Sequence, residues 1–257
     1  MATVLSLQNV TKRFGGLTAV DNVTFNINEG EIYGLIGPNG AGKTTIFNLI
    51  TGVYDITEGD ILFYGDSISG KKTYQIANLK ITRTFQNIRL FKNLTAYQNI
   101  LTACHNSANY GFFETITRMG RFIREENMLK EKAWNLLDML NLTKYADVVS
   151  SNLPYGLQRR LEIARALALD PKLLLLDEPA AGMNPEETIA LMTDIRDIRD
   201  KFKLTVLVIE HHMDLIMGVS DRIFVLNFGK PLAEGTPAQV QGNPAVIEAY
   251  LGGKAGE

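Results

Sequence analysis

Gly37-Pro38-Asn39-Gly40-Ala41-Gly42-Lys43-Thr44 reads G-x-x-x-x-G-K-T, and it stands between a strand-like run, Glu31 to Ile36, and a helix-like run, Thr45 to Ile50. Glycines let the backbone curl so that successive N–H groups face one anion. Lys43 adds a mobile positive charge for the outer phosphates, and Thr44 adds a hydroxyl for Mg²⁺. The helix that follows contributes its N-terminal dipole and unpaired amides. Strand, loop and helix together imply that the chain binds a nucleoside triphosphate.

Leu173-Leu174-Leu175-Leu176-Asp177-Glu178 is an apolar run ending in two carboxylates. A buried parallel strand delivering acids to its C-terminal edge has this form. Beside a phosphate loop, Asp177 suits the Mg²⁺ shell and Glu178 suits polarising a water. Thr205 to Ile209 is a further apolar strand, and Glu210 and His211 follow it, so an imidazole is expected at the same sheet edge.

Composition fits an α/β core with an inserted lobe: 257 residues, 46% of them hydrophobic, can fill a substantial core. A net charge of −2 gives no electrostatic case for nucleic acid. Cys104 is the only cysteine, so no internal disulfide can form; a buried position and a reducing compartment are expected. No apolar run approaches the ~18 residues a spanning helix needs, and no basic region leads into a long apolar N-terminal core. Any transport path is therefore expected on another polypeptide.

In order, Gly37 to Thr44, Gln86 within Thr84-Phe85-Gln86-Asn87, Leu153-Pro154-Tyr155-Gly156-Leu157-Gln158-Arg159-Arg160, Leu173 to Pro179, and His211 resemble the ATP-binding subunit of ABC transporters over nearly the whole chain. The resemblance implies a P-loop α/β core with an N-terminal antiparallel β subdomain and an inserted helical subdomain. It implies ATP and Mg²⁺, with Gly37, Pro38, Asn39, Gly40, Ala41, Gly42, Lys43, Thr44, Thr45 and Gly156 on the nucleotide, and Thr44, Gln86 and Asp177 on the metal. Lys43, Glu178, Gln86 and His211 take the catalytic roles, Gln86 sensing Mg²⁺ and water and His211 lying near the γ-phosphate. Phe14 matches the adenine-stacking position, with a core aromatic closing the N-terminal sheet as the alternative. The family assembles as a head-to-tail dimer, each ATP lying between one phosphate loop and the other subunit's signature motif. In that motif Pro154 replaces a serine: either this branch of the family tolerates the variant at no cost, or the chain forms a heterodimer with a second ATPase subunit of fuller signature, the pairing favoured here over a homodimer.

Thr82 to Phe91, Leu161 to Leu167, Asp177 to Asn184, Glu234 to Pro237, and Asn243 to Leu251 resemble, more narrowly, the ATPases of high-affinity branched-chain amino-acid importers. That implies two membrane permease subunits, an extracytoplasmic solute-binding protein acting indirectly, and a peripheral position on the cytoplasmic face of the cell membrane. A urea or amide importer, an exporter, and a nucleotide-gated interaction protein outside transport are the alternatives.

The expected division is one ATPase domain: 1–89 as β subdomain and phosphate-loop part, 90–157 as helical subdomain, 158–240 as the rest of the core, and 241–257 as C-terminal helix and tail. Ala133, Leu136, Leu137 and Leu140 form an apolar stripe at helical spacing. Leu157, Leu161, Ala164 and Ala168 form another. Asn184-Pro185-Glu186-Glu187 has the N-cap, first-turn proline and N3 glutamate of a helix start. Tyr110-Gly111-Phe112-Phe113 with Arg118, Arg121 and Arg124 reads either as a surface for a membrane subunit or lipid headgroups, or as a solvated face with core aromatics.

Overall fold

The computed structural model describes residues 2–107, 121–211 and 213–251. The chain divides into two compact units, 1–83 with 172–257, and 84–171. The first is built on two sheets. Long strands β1 (Thr3–Phe14) and β2 (Leu17–Asn28) pair antiparallel, and β4 (Glu58–Phe63) and the short β5 (Asp66–Ser67) complete an antiparallel sheet in the order β2-β1-β4-β5.

The second sheet runs β10-β9-β3-β8-β7-β6, with β3 (Ile32–Ile36), β6 (Ile81–Arg83), β7 (Leu173–Asp177), β8 (Thr205–Ile209), β9 (Arg222–Asn227) and β10 (Lys230–Gly235). All neighbours pair parallel except β9 and β10. Every residue of β3, β7 and β8 is buried, which explains why, apart from Thr205 and Asp177 at strand ends, their sequences do not alternate with polar residues: a strand covered on both faces has no polar side. Register matters here. Leu35 and Asp177 are both level with Ile209, so the C-terminal ends of three adjacent strands open at one edge.

Helices of this unit are α1 (Lys43–Ile50), α2 (Thr73–Asn78) and, after the second unit, those beginning at Pro185. The second unit holds α3 (Ala96–Cys104), α4 (Arg121–Met139) and α5 (Tyr155–Leu167). Ala133, Leu136, Leu137 and Leu140 are all buried, as is Cys104, whose thiol burial pushes up to about 11. Of the α5 stripe Leu161, Ala164 and Ala168 are buried, while Leu157 is only partly so. The expected helical segment ended at 157, whereas the compact unit runs on to residue 171, because α5 packs against α3 and α4. The strand expected over 81–85 stops at Arg83. Residues 110–113 and Arg118, the side chain of Arg121, and the tail beyond 251 lie outside the described residues.

Back in the first unit, α6 (Pro185–Phe202) starts as the sequence implies: Asn184 accepts from Glu187 N at 2.9 Å and Glu187 Oε2 accepts from Asn184 N at 3.0 Å. Short helices α7 (Met213–Val219), α8 (Pro237–Gln241) and α9 (Pro244–Leu251) complete it. Among the described residues no helix is long and apolar enough to cross a membrane.

Candidate functional site

The chain leaves β3 at Ile36, turns through residues 37–42 and enters α1, whose N-cap is Gly42. Gly42 has φ 103, and a Cβ there would lie 2.5 Å from Ala19 O, so neither the backbone conformation nor the space admits a side chain. The first intrahelical bond runs from Ile46 N to Gly42 O. The amides of residues 43–45 are therefore left without helical partners at the point where a phosphate would sit. Lys43 is buried, and its Nζ donates to Gly37 O at 2.6 Å and Pro38 O at 3.0 Å. Burial lowers its pKa, against the opposing pull of Glu178 and Asp177. A poorly solvated cation held by weak carbonyl acceptors is well prepared to meet an anion.

Two carboxylates emerge at the same edge from β7. Asp177 is buried and pairs with Arg83 of β6 at 2.5 Å; Arg83 also donates to Asn48 of α1 at 2.7 Å. Glu178 has φ 47, a left-handed conformation costly for a residue with a Cβ. The turn is fixed on both sides, by Glu178 N donating to Ile209 O at 2.9 Å and Ala181 N to Glu178 O at 3.2 Å. From the end of β8, fully buried Glu210 accepts from Ala180 N at 2.9 Å and His211 N at 3.0 Å. His211 Nδ1 lies 3.8 Å from Glu178 Oε1. Lys43, Asp177, Glu178 and His211 are thus brought to one sheet edge.

A cavity of about 510 Å³ lies over this edge, lined by residues 39–45, Glu178, Phe14, Leu17 and Phe228 among others. Phe14 is exposed rather than in the core; it meets Tyr54 edge-on with ring centroids 5.1 Å apart, and Lys12 Nζ lies 4.9 Å from its ring centre. Thr44 is exposed and lines the cavity. Among the described residues no group of three or more His, Cys, Asp or Glu can hold a metal. One hydroxyl and one carboxylate are instead the hard-oxygen donors expected for Mg²⁺, which takes its other ligands from phosphate and water.

Gln86 and Gly156 belong to the second unit. Arg159 of α5, fully buried, holds the glutamine segment: it donates to Phe85 O at 2.7 Å, Gln86 O at 2.8 Å and Glu162 Oε2 at 2.7 Å. Glu162 in turn accepts from Arg89 N at 3.1 Å. Burial raises the Glu162 pKa, with Arg159 pulling it back. Gly156 is buried in the first turn of α5, whose N-cap is Pro154 without a side-chain cap. Sequence reasoning gave no role to Arg83, Glu210 or Phe228. Arg83 stands inside the quoted Thr82 to Phe91 motif, and Glu210 directly before the histidine; for Phe228 the signal is a phenylalanine inside a two-residue hairpin turn.

A family model described as ABC transporter matches residues 20–181. The chain belongs to this family, the ATP-binding proteins of ABC transporters. A second model, Branched-chain amino acid ATP-binding cassette transporter, matches residues 230–256. The high-affinity branched-chain amino acid transport ATP-binding protein BraF of Pseudomonas aeruginosa is 47% identical over 249 residues, spanning 97% of this chain and 98% of that protein. LivG of Escherichia coli, with the same description, is likewise 47% identical over 249 residues, spanning the same shares. The ADP conformation of an ATP-binding cassette of an ABC transporter superposes with a TM-score of 0.85 at 31% identity, covering 98% of this chain and all (100%) of that one.

Proposed function

We propose that the chain binds Mg-ATP in this cavity and hydrolyses it to power an ABC importer for branched-chain amino acids. The observation that carries the reading is the convergence of Lys43, Asp177, Glu178 and His211 on the phosphate-loop edge of one parallel sheet. Phosphoryl transfer gains chiefly from positioning and charge stabilisation. Lys43 and the amides of residues 43–45 neutralise the outer phosphates, and Phe14 stacks on the base. Glu178, aimed by its left-handed backbone and restrained by His211, orients the attacking water and takes its proton. Mg²⁺, held by Thr44 and Asp177 with Gln86, would offset phosphate charge.

The partners are a second ATPase subunit, two permease subunits and, indirectly, a solute-binding protein, with the chain on the cytoplasmic face of the membrane. Each ATP is sandwiched between one subunit's phosphate loop and the signature helix of the other. Pro154 has neither a hydroxyl nor an amide N–H to donate there, which favours a heterodimer whose partner supplies the fuller signature.

Glu178→Gln in the assembled transporter tests both points. ATP binding should persist while phosphate release falls ~10²–10³-fold, and branched-chain amino-acid uptake should fall more than when the partner's equivalent glutamate is disabled. Near-normal turnover would remove Glu178 from catalysis, and equal losses in uptake would reject the asymmetric pair.

A further inference from the structure

The hairpin between β9 and β10 closes at Asn227 and Lys230, which pair across it, through a two-residue turn, Phe228-Gly229. Both turn residues have positive φ, 45 and 78. Tight hairpin turns of this hand favour Asn, Asp or Gly at the first position, because a bulky side chain is strained there. Here that position holds a phenylalanine that is 84% exposed. The left-handed backbone closes the hairpin, but a bulky residue is strained in it, and the bare aromatic ring buries little against the fold.

The same turn is fastened to the nucleotide loop. Gly229 N donates to Ala41 O at 2.9 Å and Asp21 N donates to Gly229 O at 2.8 Å. A Cβ on Gly229 would lie 2.8 Å from Ala19 O, so the turn is pressed onto β2. With its neighbour held on both sides, the backbone of Phe228 is fixed at the wall of the cavity that residues 39–45 and Phe14 also line.

We propose that Phe228 is a second aromatic contact for the nucleotide base, beside Phe14, and so a determinant of nucleotide affinity. The inference rests on the nucleotide-binding reading above. A phenyl ring offers a π-face and an edge to a heterocycle and nothing to a phosphate anion, which Lys43 and the amides of residues 43–45 would hold. Strain kept at an exposed turn is what a ligand contact would account for.

The test compares wild type, Phe228→Ala, Phe228→Trp and Phe228→Gly in the full chain, titrated with ATP and, separately, with inorganic tripolyphosphate, alongside thermal unfolding of the free protein. Phe228→Ala should weaken ATP about 10-fold, the scale of losing one base–aromatic stack, and Phe228→Trp should restore it. Tripolyphosphate affinity should stay within about twofold, since it has no base to stack. Phe228→Gly should lose ATP affinity while unfolding at or above the wild-type temperature, because glycine relieves the left-handed strain. Equal ATP affinities in wild type and Phe228→Ala would overturn the proposal. So would a parallel loss of tripolyphosphate, which would make Phe228 a prop for the loop, or weaker ATP-driven dimerisation at unchanged monomer affinity, which would make it a subunit contact. Failure of the wild type to bind ATP at all would reject the nucleotide reading itself, a separate outcome.

Discussion

Replacing Arg159 with methionine should destabilise the protein and slow it without weakening nucleotide binding. Arg159 is fully buried and donates to Phe85 O, Gln86 O, Tyr155 Oη and Glu162 Oε2 at 2.7–3.2 Å. Its Nε is buried without a partner. The substitution removes all four bonds and leaves the Glu162 carboxylate, 6% exposed, without its cation. Breaking a buried pair from one side costs about 3–5 kcal/mol. At roughly 2–4 °C per kcal/mol for a chain of this size, the melting temperature should fall by about 6–20 °C.

The loss should also depend on pH, with a sign set by Glu162. Burial already raises its folded pKa above 4.5, and Arg159 is the main opposing influence. A carboxyl with a raised folded pKa contributes stability that is present below the unfolded pKa and lost as pH rises through the folded one. Without Arg159 the folded pKa climbs further, so the penalty should be larger at pH 8 than at pH 5.5. Adding Glu162→Gln should recover part of the loss at pH 8 and flatten the pH dependence. Calorimetry at the two pH values, with ATP titration and phosphate release, reads all of this: kcat should drop with Gln86 less firmly held, while the ATP Kd stays near wild type. A shift under about 2 °C, a penalty equal at both pH values, or no recovery in the double variant would refute the reasoning.

In the role proposed for it, Lys43 must be protonated to hold phosphate, and burial lowers its pKa from 10.5. ATP affinity, followed by titration from pH 7 to pH 10, should therefore decline at a lower pH than an ordinary lysine would lose its charge, and constant affinity across that range would contradict the role given to it. Asn184→Ala removes the side-chain acceptor for Glu187 N at the start of α6. It should cost about 1 kcal/mol and lower the melting temperature by about 2–4 °C, with Asn184→Asp at or above wild type.

The parts of the site legible in the sequence were those fixed by spacing within one strand–loop unit. Residues 37–44 carry their own backbone requirements, and Asp177, Glu178 and His211 end or follow short apolar runs that, beside a phosphate loop, read as buried parallel strands. The Arg83–Asp177 pair was not legible, because its partners are 94 residues apart and only the β6–β7 pairing brings them together. Nor was the extent of the helical unit: the apolar stripe of α5 announces a buried face without naming what covers it. Phe228 escaped for the opposite reason, since an exposed residue in a turn leaves no periodic trace.

Strand order explains why these separate segments make one site. β3 lies between β9 and β8, and β7 lies on the far side of β8. The loops leaving β3, β7 and β8 are therefore neighbours at one edge, although they are far apart in the chain. Leu35 and Asp177 are level with the same residue, Ile209, so a slip of one register step at either pairing would carry Lys43 or Glu178 along the strand axis by about 3.3 Å. That distance exceeds the tolerance of a phosphoryl-transfer site, where a misplacement of about 1 Å can cost ~10²-fold. Under the proposed roles of Lys43 and Glu178, the burial of every residue in β3, β7 and β8 thus serves catalysis as directly as stability: a slip would carry the set of side chains out of the places it fills, and the core resists it.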